Sequence, residues 1–276
     1  MEKKCFIAGL PQAGKTTYIA ALWDIILREK GNYELQFTTS PENATYLNEI
    51  WEHWSKMEKI ERSKIPVPDD IKINVKRRED GTELVLDIPD FMGEQFQKII
   101  DRTLPENISK WISESDRMLY LINLLDDGNK DDFETGGEPQ NDVDRSKEKA
   151  EAITLTPDRM MQVSQNLIVL KYIAMHAKMK KIAIGLSAWD KKMTEGKTPE
   201  EYLKSRAPML YNFIKYHFKE RLFFGVSAQG FDYKDKADKE EDMKAKARES
   251  KRAFMHYGDE QELTTDLTRP FNYLIQ

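Results

Sequence analysis

Short apolar runs alternate with amphipathic stretches along most of this chain. Cys5-Phe6-Ile7-Ala8, Met118-Leu119-Tyr120-Leu121-Ile122-Asn123-Leu124-Leu125, Lys181-Ile182-Ala183-Ile184-Gly185-Leu186 and Leu222-Phe223-Phe224-Gly225-Val226 have the length and apolar continuity of buried strands. Residues 71–78 alternate apolar and polar side chains. Asp80-Gly81 turns them into the more apolar Glu83-Leu84-Val85-Leu86-Asp87-Ile88, a hairpin signature. Residues 33–39 admit one more strand. Between these runs the period changes to that of a helix. Ile19, Leu22, Trp23 and Ile26 share one face of a helix over 16–30, with Gly31 as its cap. Ser40 and Pro41 read as the start of another, which carries Leu47, Ile50, Trp51, Trp54 and Met57 and ends before Ile65-Pro66-Val67-Pro68. Its aromatic face reads as core packing, with a partner surface as the alternative. Further helices are expected at Phe96, Ile99 and Ile100, broken near Pro105 and resumed at Ile108, Trp111 and Ile112, then over 157–180 and 200–220. Leu263, Leu267, Phe271 and Leu274 suggest a closing helix, kinked or started near Pro270.

Strands that alternate with helices predict an α/β fold: a doubly wound, mostly parallel sheet with helices on both faces. Two stretches interrupt the pattern. Residues 126–156 hold glycines, a proline and many acids, and read as a surface insertion. Residues 231–257 are dense in Lys, Asp and Glu, and read as an exposed helix or a disordered excursion. The expectation is a single enlarged domain over 1–276, with insertions at about 126–156 and 232–257.

Composition narrows the classes. An apolar share of 39% supports a core, and the net charge of -5 argues against a general nucleic-acid binder. The single cysteine, Cys5, cannot pair within the chain and sits in the first predicted strand as a small buried residue. No apolar run is long enough for a helix to span a bilayer, and Met1-Glu2-Lys3-Lys4 passes straight into the first strand. A cytoplasmic protein is expected.

The candidate chemistry lies at strand ends. Gly9-Leu10-Pro11-Gln12-Ala13-Gly14-Lys15-Thr16 fits G-x-x-x-x-G-K-[ST] between a predicted strand and helix. The glycines let the loop curl so that backbone N–H groups face a phosphate, and the helix N-terminus adds positive charge. Lys15 would reach β- and γ-phosphates, and Thr16 would place its hydroxyl on magnesium. Asp90-Phe91-Met92-Gly93 ends the hairpin's second strand. In this context Asp90 would hold magnesium, often through water, and Gly93 would let its N–H approach the γ-phosphate. Ser187-Ala188-Trp189-Asp190 and Ser227-Ala228-Gln229 end two later strands, where ligands of such sheets bind. The histidines His53, His176, His217 and His256 lack ligand spacing.

In that order, these motifs resemble those of the TRAFAC-class, Ras-like GTPases: P-loop, switch threonine, D-x-x-G, N-K-x-D and S-A-K. The chain looks closest to the bacterial double-GTPase group of predicted conflict systems. The resemblance implies a guanine nucleotide, GTP or GDP with Mg2+, and a GTPase switch partnered by an effector or a second G domain. Asp190 matches the aspartate that accepts hydrogen bonds from guanine N1–H and the exocyclic amine. Ala228 matches the residue whose N–H meets guanine O6, and Thr17 the residue near the α-phosphate. Ser187 and Ala188 replace the usual Asn and Lys, which implies looser base binding. The switch residue is Thr38, Thr39 or Ser63, of which Ser63 is best placed before the next strand and would be a metal ligand. Glu94 stands where the water-orienting Gln usually is, with Gln95 one residue late, so slow hydrolysis is implied. Pro11 stands at the second glycine position, where it obstructs an inserted arginine. Gln12 occupies the place where some relatives use a polar side chain to hold potassium between paired G domains. A non-hydrolysing GTP-binding module, and less so a P-loop ATPase, are the alternatives.

Overall fold

The computed structural model describes residues 3–28, 33–39, 44–58, 70–89, 98–104, 106–124, 162–193, 196–230 and 252–276. The chain runs β1 (Lys3–Ala8), α1 (Lys15–Arg28), β2 (Leu35–Thr39), α2 (Ala44–Ser55), β3 (Asp70–Arg77) and β4 (Glu83–Pro89). It continues with α3 (Glu106–Glu114), β5 (Arg117–Ile122), α4 (Gln162–His176) and β6 (Lys181–Ser187). A 3-10 turn (Trp189–Lys191), α5 (Pro199–Arg206), α6 (Pro208–His217), β7 (Glu220–Ser227), β8 (Phe254–Tyr257), β9 (Leu263–Thr264) and α7 (Arg269–Ile275) complete it.

The strands form one sheet in the order β2-β3-β4-β1-β5-β6-β7-β8-β9. From β4 to β7 all neighbours are parallel, and the two strands at each edge are antiparallel additions. This is a mixed sheet with the predicted parallel centre. Successive side chains of a strand face opposite ways, so β1 sends Cys5 and Ile7 to one face and Phe6 and Ala8 to the other. The first face is covered by α1, α2 and α7, the second by α3, α4, α5 and α6. Every residue of β5 after Arg117 is buried, which is why this segment reads as an unbroken apolar run.

On the first face the tryptophans of α1 and α2 turn inward. Trp23 Nε1 donates to Asn48 Oδ1 at 3.0 Å, and Trp51 Nε1 donates to Asp24 Oδ1 at 2.9 Å. The aromatic face of α2 is therefore core packing, and the partner-surface alternative for it falls away. The closing segment ties down the start of β2. Asp266 Oδ2 accepts from Glu34 N at 2.8 Å, and Thr268 Oγ1 from Leu35 N at 3.3 Å. The buried Tyr18 hydroxyl donates to Leu267 O at 2.8 Å. Burial, and then the nearby Asp266 carboxylate, raise its pKa well above the ordinary tyrosine range, so it stays a neutral donor.

The closing helix starts at Arg269, beside Pro270 as one of the two expected forms had it, while Leu263 lies on the short strand β9. Two further expectations change. The helix expected over 200–220 is two helices, because Pro208 offers no N–H to continue the ladder and α6 starts there. The second charged stretch does not extend to 257 as an exposed helix or excursion. Arg252 and Ala253 are buried, and β8 pairs with β7 in the register Ser227↔Phe254. The insertion at 126–156, Gly31, Ser40, Pro41, Phe96, Pro105 and the Ile65-Pro66-Val67-Pro68 segment lie outside the described residues.

Gly230 and Arg252 sit back to back, since a Cβ on Gly230 would lie 2.4 Å from Arg252 O. A short Gly-Ser link can thus replace residues 232–250, whose composition offers little apolar surface to bury. The expected melting temperature of that deletion lies within a few degrees of the full chain's. Loss of cooperative melting would show that the stretch packs on the core.

Candidate functional site

Between the end of β1 and the start of α1 the chain must turn within six residues. Gly9 has φ +148°, and a Cβ there would lie 2.5 Å from Leu121 O, so the β5 backbone leaves room for glycine alone. Gly14 has φ +84° and faces Ser187, whose Cβ would be 3.3 Å from an added Cβ. Gln12 is left-handed at φ 61° without being glycine, and Ala13 N donates to Leu10 O at 3.2 Å to close the turn. The N-terminus of α1, with its partial positive charge, opens on this loop. Lys15 is 6% exposed, and its Nζ donates to Gly9 O at 2.7 Å and to Leu10 O at 2.8 Å. These charge-assisted bonds hold a buried ammonium at the loop's mouth. Thr16 and Thr17 follow on the first turn of α1, both half-buried.

The other wall is built from the ends of β6 and β7. Ser187 Oγ donates to Ile122 O at 3.4 Å, tying the end of β6 to β5. Ala188 is left-handed, at φ 51° and ψ 44°, and starts the 3-10 turn. Trp189 anchors that turn. It is fully buried, its indole rests against Gly225, where a Cβ would lie 2.2 Å from the ring, and Tyr202 and His256 make edge contacts. Lys192, 3% exposed, reaches back to donate to Ser187 O at 2.5 Å and Ala188 O at 3.5 Å. Held from both sides, the turn leaves Asp190 half-buried at its edge. Ser227, the last residue of β7, is buried, and its Oγ has no hydrogen-bond partner among the described residues.

These walls enclose a cleft of about 230 Å³. Of the residues singled out in the sequence, Gln12, Gly14, Thr17, Ser187, Ala188, Asp190, Ser227, Ala228 and Gln229 line it. Gly9, Pro11, Ala13, Lys15 and Thr16 lie in the same loop and first helical turn. Asp90, Gly93, Glu94, Gln95 and Ser63 lie outside the described residues. Thr38, one of the three switch candidates, lies outside the cleft lining, and its hydroxyl donates to Asn74 O at 3.0 Å within the antiparallel pair at the sheet's edge. Thr39 pairs with Asn74 on the same ladder. Asn123 lines the cleft and its Nδ2 approaches Gln12 O at 3.4 Å. The sequence rule that could have found it is the one used for the other motifs, because it follows β5 at its carboxyl end. Lys192 has no such signal; its role depends on the path of the turn.

Among the described residues no group of three or more His, Cys, Asp or Glu could hold a metal ion. Thr16, on the first turn of α1, carries a hydroxyl oxygen, a hard donor of the kind that suits magnesium when phosphate and water supply the other ligands. Among the described residues no helix is long and apolar enough to cross a membrane.

No curated protein matches the sequence. Among solved structures the chain is similar to a bacterial selenocysteine-specific elongation factor, EF-Sec, at 13% identity and a TM-score of 0.35, over 90% of this chain and 28% of that one. It is similar to Methanosarcina barkeri Roco2 RocCORdC bound to GDP, at 16% identity and a TM-score of 0.33, over 90% of this chain and 47% of that one. The S. cerevisiae Ski7 GTPase-like domain bound to GTP is another, at 16% identity and a TM-score of 0.38, over 83% of this chain and 43% of that one. The chain thus spans less than half the length of these structures. A family model, Double-GTPase 1, matches residues 6–274. With nearly the whole chain matched, and with its loop and strand-end motifs gathered at one cleft, the chain belongs to the Double-GTPase 1 family.

Proposed function

We propose that this protein binds guanine nucleotides in the cleft, hydrolyses GTP slowly with Mg2+, and acts as a nucleotide-dependent switch. One observation carries the reading: the phosphate loop, the Asp190 turn and the Ser227-Ala228 strand end line a single cleft. In this reading the base lies between the last two and the phosphates between the loop and α1. Asp190 accepts from guanine N1–H and the exocyclic amine, a pair that adenine does not offer. Ala228 N–H meets O6. Lys15 exchanges its bonds to Gly9 O and Leu10 O for β- and γ-phosphate oxygens. Thr16, with Asp90 and Ser63, would hold magnesium, which when bound neutralises charge on those oxygens.

Slow hydrolysis is expected from the motif itself. Glu94 follows Gly93 in sequence, where the resembled GTPases carry a water-orienting Gln, and a carboxylate there would orient water while its charge repels the phosphate. Gln12, exposed at the cleft's mouth, offers a carbonyl oxygen that a potassium ion and a second G domain can use. Turnover of GTP should therefore be slow in sodium at low protein concentration, and faster in potassium at high concentration. A slow rate indifferent to ion and concentration would remove the paired-domain route. Bound GTP that is never hydrolysed would leave a binding module.

A further inference from the structure

We infer that Trp54 and Arg252 are positioning residues that fix the Ser227–Gly230 loop against the guanine base and so set the base's share of nucleotide affinity. The inference rests on the guanine reading of the cleft, and concerns the side chains behind its Ser227–Gly230 wall, which lie outside the sequence motifs. Trp54, near the end of α2, donates its Nε1–H to Ala228 O at 2.9 Å. Arg252, just before β8, donates its Nε–H to Gln229 O at 3.0 Å. Two successive carbonyls of a loop that lines the cleft are thus tied from outside it by side chains distant in sequence.

The two ties are also joined to each other. The Arg252 guanidinium stacks on the Trp54 ring, 4.1 Å from its centroid, and its Nη1–H donates to Trp54 O. That carbonyl belongs to the last turn of α2. There Met57, left-handed at φ 62°, lets Glu58 N reach His53 O at 2.9 Å in a Schellman-type ending. A cation at the negative end of the helix is favourable, and the planar guanidinium can stack and donate at once, which an ammonium cannot. Both side chains are buried, at 5% and 4% exposure, so the arrangement is a fixed part of the fold and not a surface contact.

The geometry acts on recognition through the peptide planes. Holding Ala228 O fixes the 228–229 plane, and holding Gln229 O fixes the next one. On the other side Ser227 is pinned by its pairing with Phe254. The peptide that carries Ala228 N–H lies between two fixed points. Rigid presentation of that donor lowers the ordering cost of binding the base. The phosphates, gripped by the opposite wall, do not depend on it.

The test compares GDP with inorganic tripolyphosphate, which binds the phosphate wall without a base, by calorimetry on the full chain. Trp54→Phe keeps an aromatic ring for Arg252 to stack on and removes the N–H together with part of the indole. Arg252→Lys keeps the charge and loses the fork. Each should weaken GDP roughly tenfold, as loss of one buried hydrogen bond implies, while tripolyphosphate affinity stays near wild type and a thermal melt shows a folded, if less stable, chain. Wild-type GDP affinity in both variants would overturn the inference. So would an equal loss of GDP and tripolyphosphate, which would make the pair merely structural. If the wild type binds tripolyphosphate but favours GDP no more than ADP, the guanine reading itself fails, and this inference with it.

Discussion

Lys15→Ala is expected to abolish measurable nucleotide binding while leaving the chain folded. The ammonium is buried, and two carbonyl oxygens of its own loop, Gly9 O and Leu10 O, hold it within 3 Å of the turn it closes. A phosphate group that enters the loop meets this charge where water is largely excluded. Each charge-assisted bond of this kind contributes about 1.5–3 kcal/mol. Losing two of them predicts a fall in GTP affinity of roughly 10²- to 10⁴-fold. The folded state loses less, because Ala13 N still donates to Leu10 O and Gly9 keeps its packing against Leu121. Calorimetric titration with GTP and a thermal melt of the same sample separate the two effects. Unchanged affinity in the variant would remove the phosphate-loop assignment.

Asp190→Asn is expected to exchange guanine for xanthine preference. The residue sits on a turn fixed by the buried Trp189 on one side and by Lys192, bonded to Ser187 O and Ala188 O, on the other. An isosteric amide can therefore replace the carboxylate without moving the turn. Its NH₂ then faces guanine N1–H donor to donor, while a xanthine oxygen accepts from it. Loss of the carboxylate's bonds and the new clash together should weaken GDP by about 3–5 kcal/mol, or roughly two to three and a half decades. Xanthosine diphosphate should gain affinity over its value for the wild type. Competition between the two diphosphates reads the exchange. Equal losses for both would mean that Asp190 supports the turn and does not read the base.

The centre of the fold is legible in the sequence because parallel strands are buried on both faces, and so leave unbroken apolar runs such as 118–122. The Gly9–Thr16 loop is legible because its backbone demands glycine at fixed places. The break at Pro208 is harder to see: Leu203, Leu210 and Ile214 keep a helical period across it, since both helices pack on the same face of the sheet. Strand β8 is hidden for a different reason. Four residues at the end of a highly charged stretch carry too little pattern to register, and their pairing with β7 is a tertiary fact. The same holds for the wall behind Ala228. Trp54 belongs to an amphipathic pattern that explains its burial completely, and its bond to a residue 174 positions away leaves no mark on local sequence. The motif reading located the strand ends, while the side chains that hold those ends in place came from elsewhere in the chain.

The most direct test of the central claim is side-by-side titration of the nucleotide-stripped, full-length chain with GDP and with ADP in the presence of magnesium. A cleft that joins the phosphate loop to the Asp190 turn and the Ala228 strand end should bind GDP at least about a hundredfold more tightly than ADP, the worth of the two base contacts that adenine cannot make. Equal affinity for the two, or no binding of either, would contradict it.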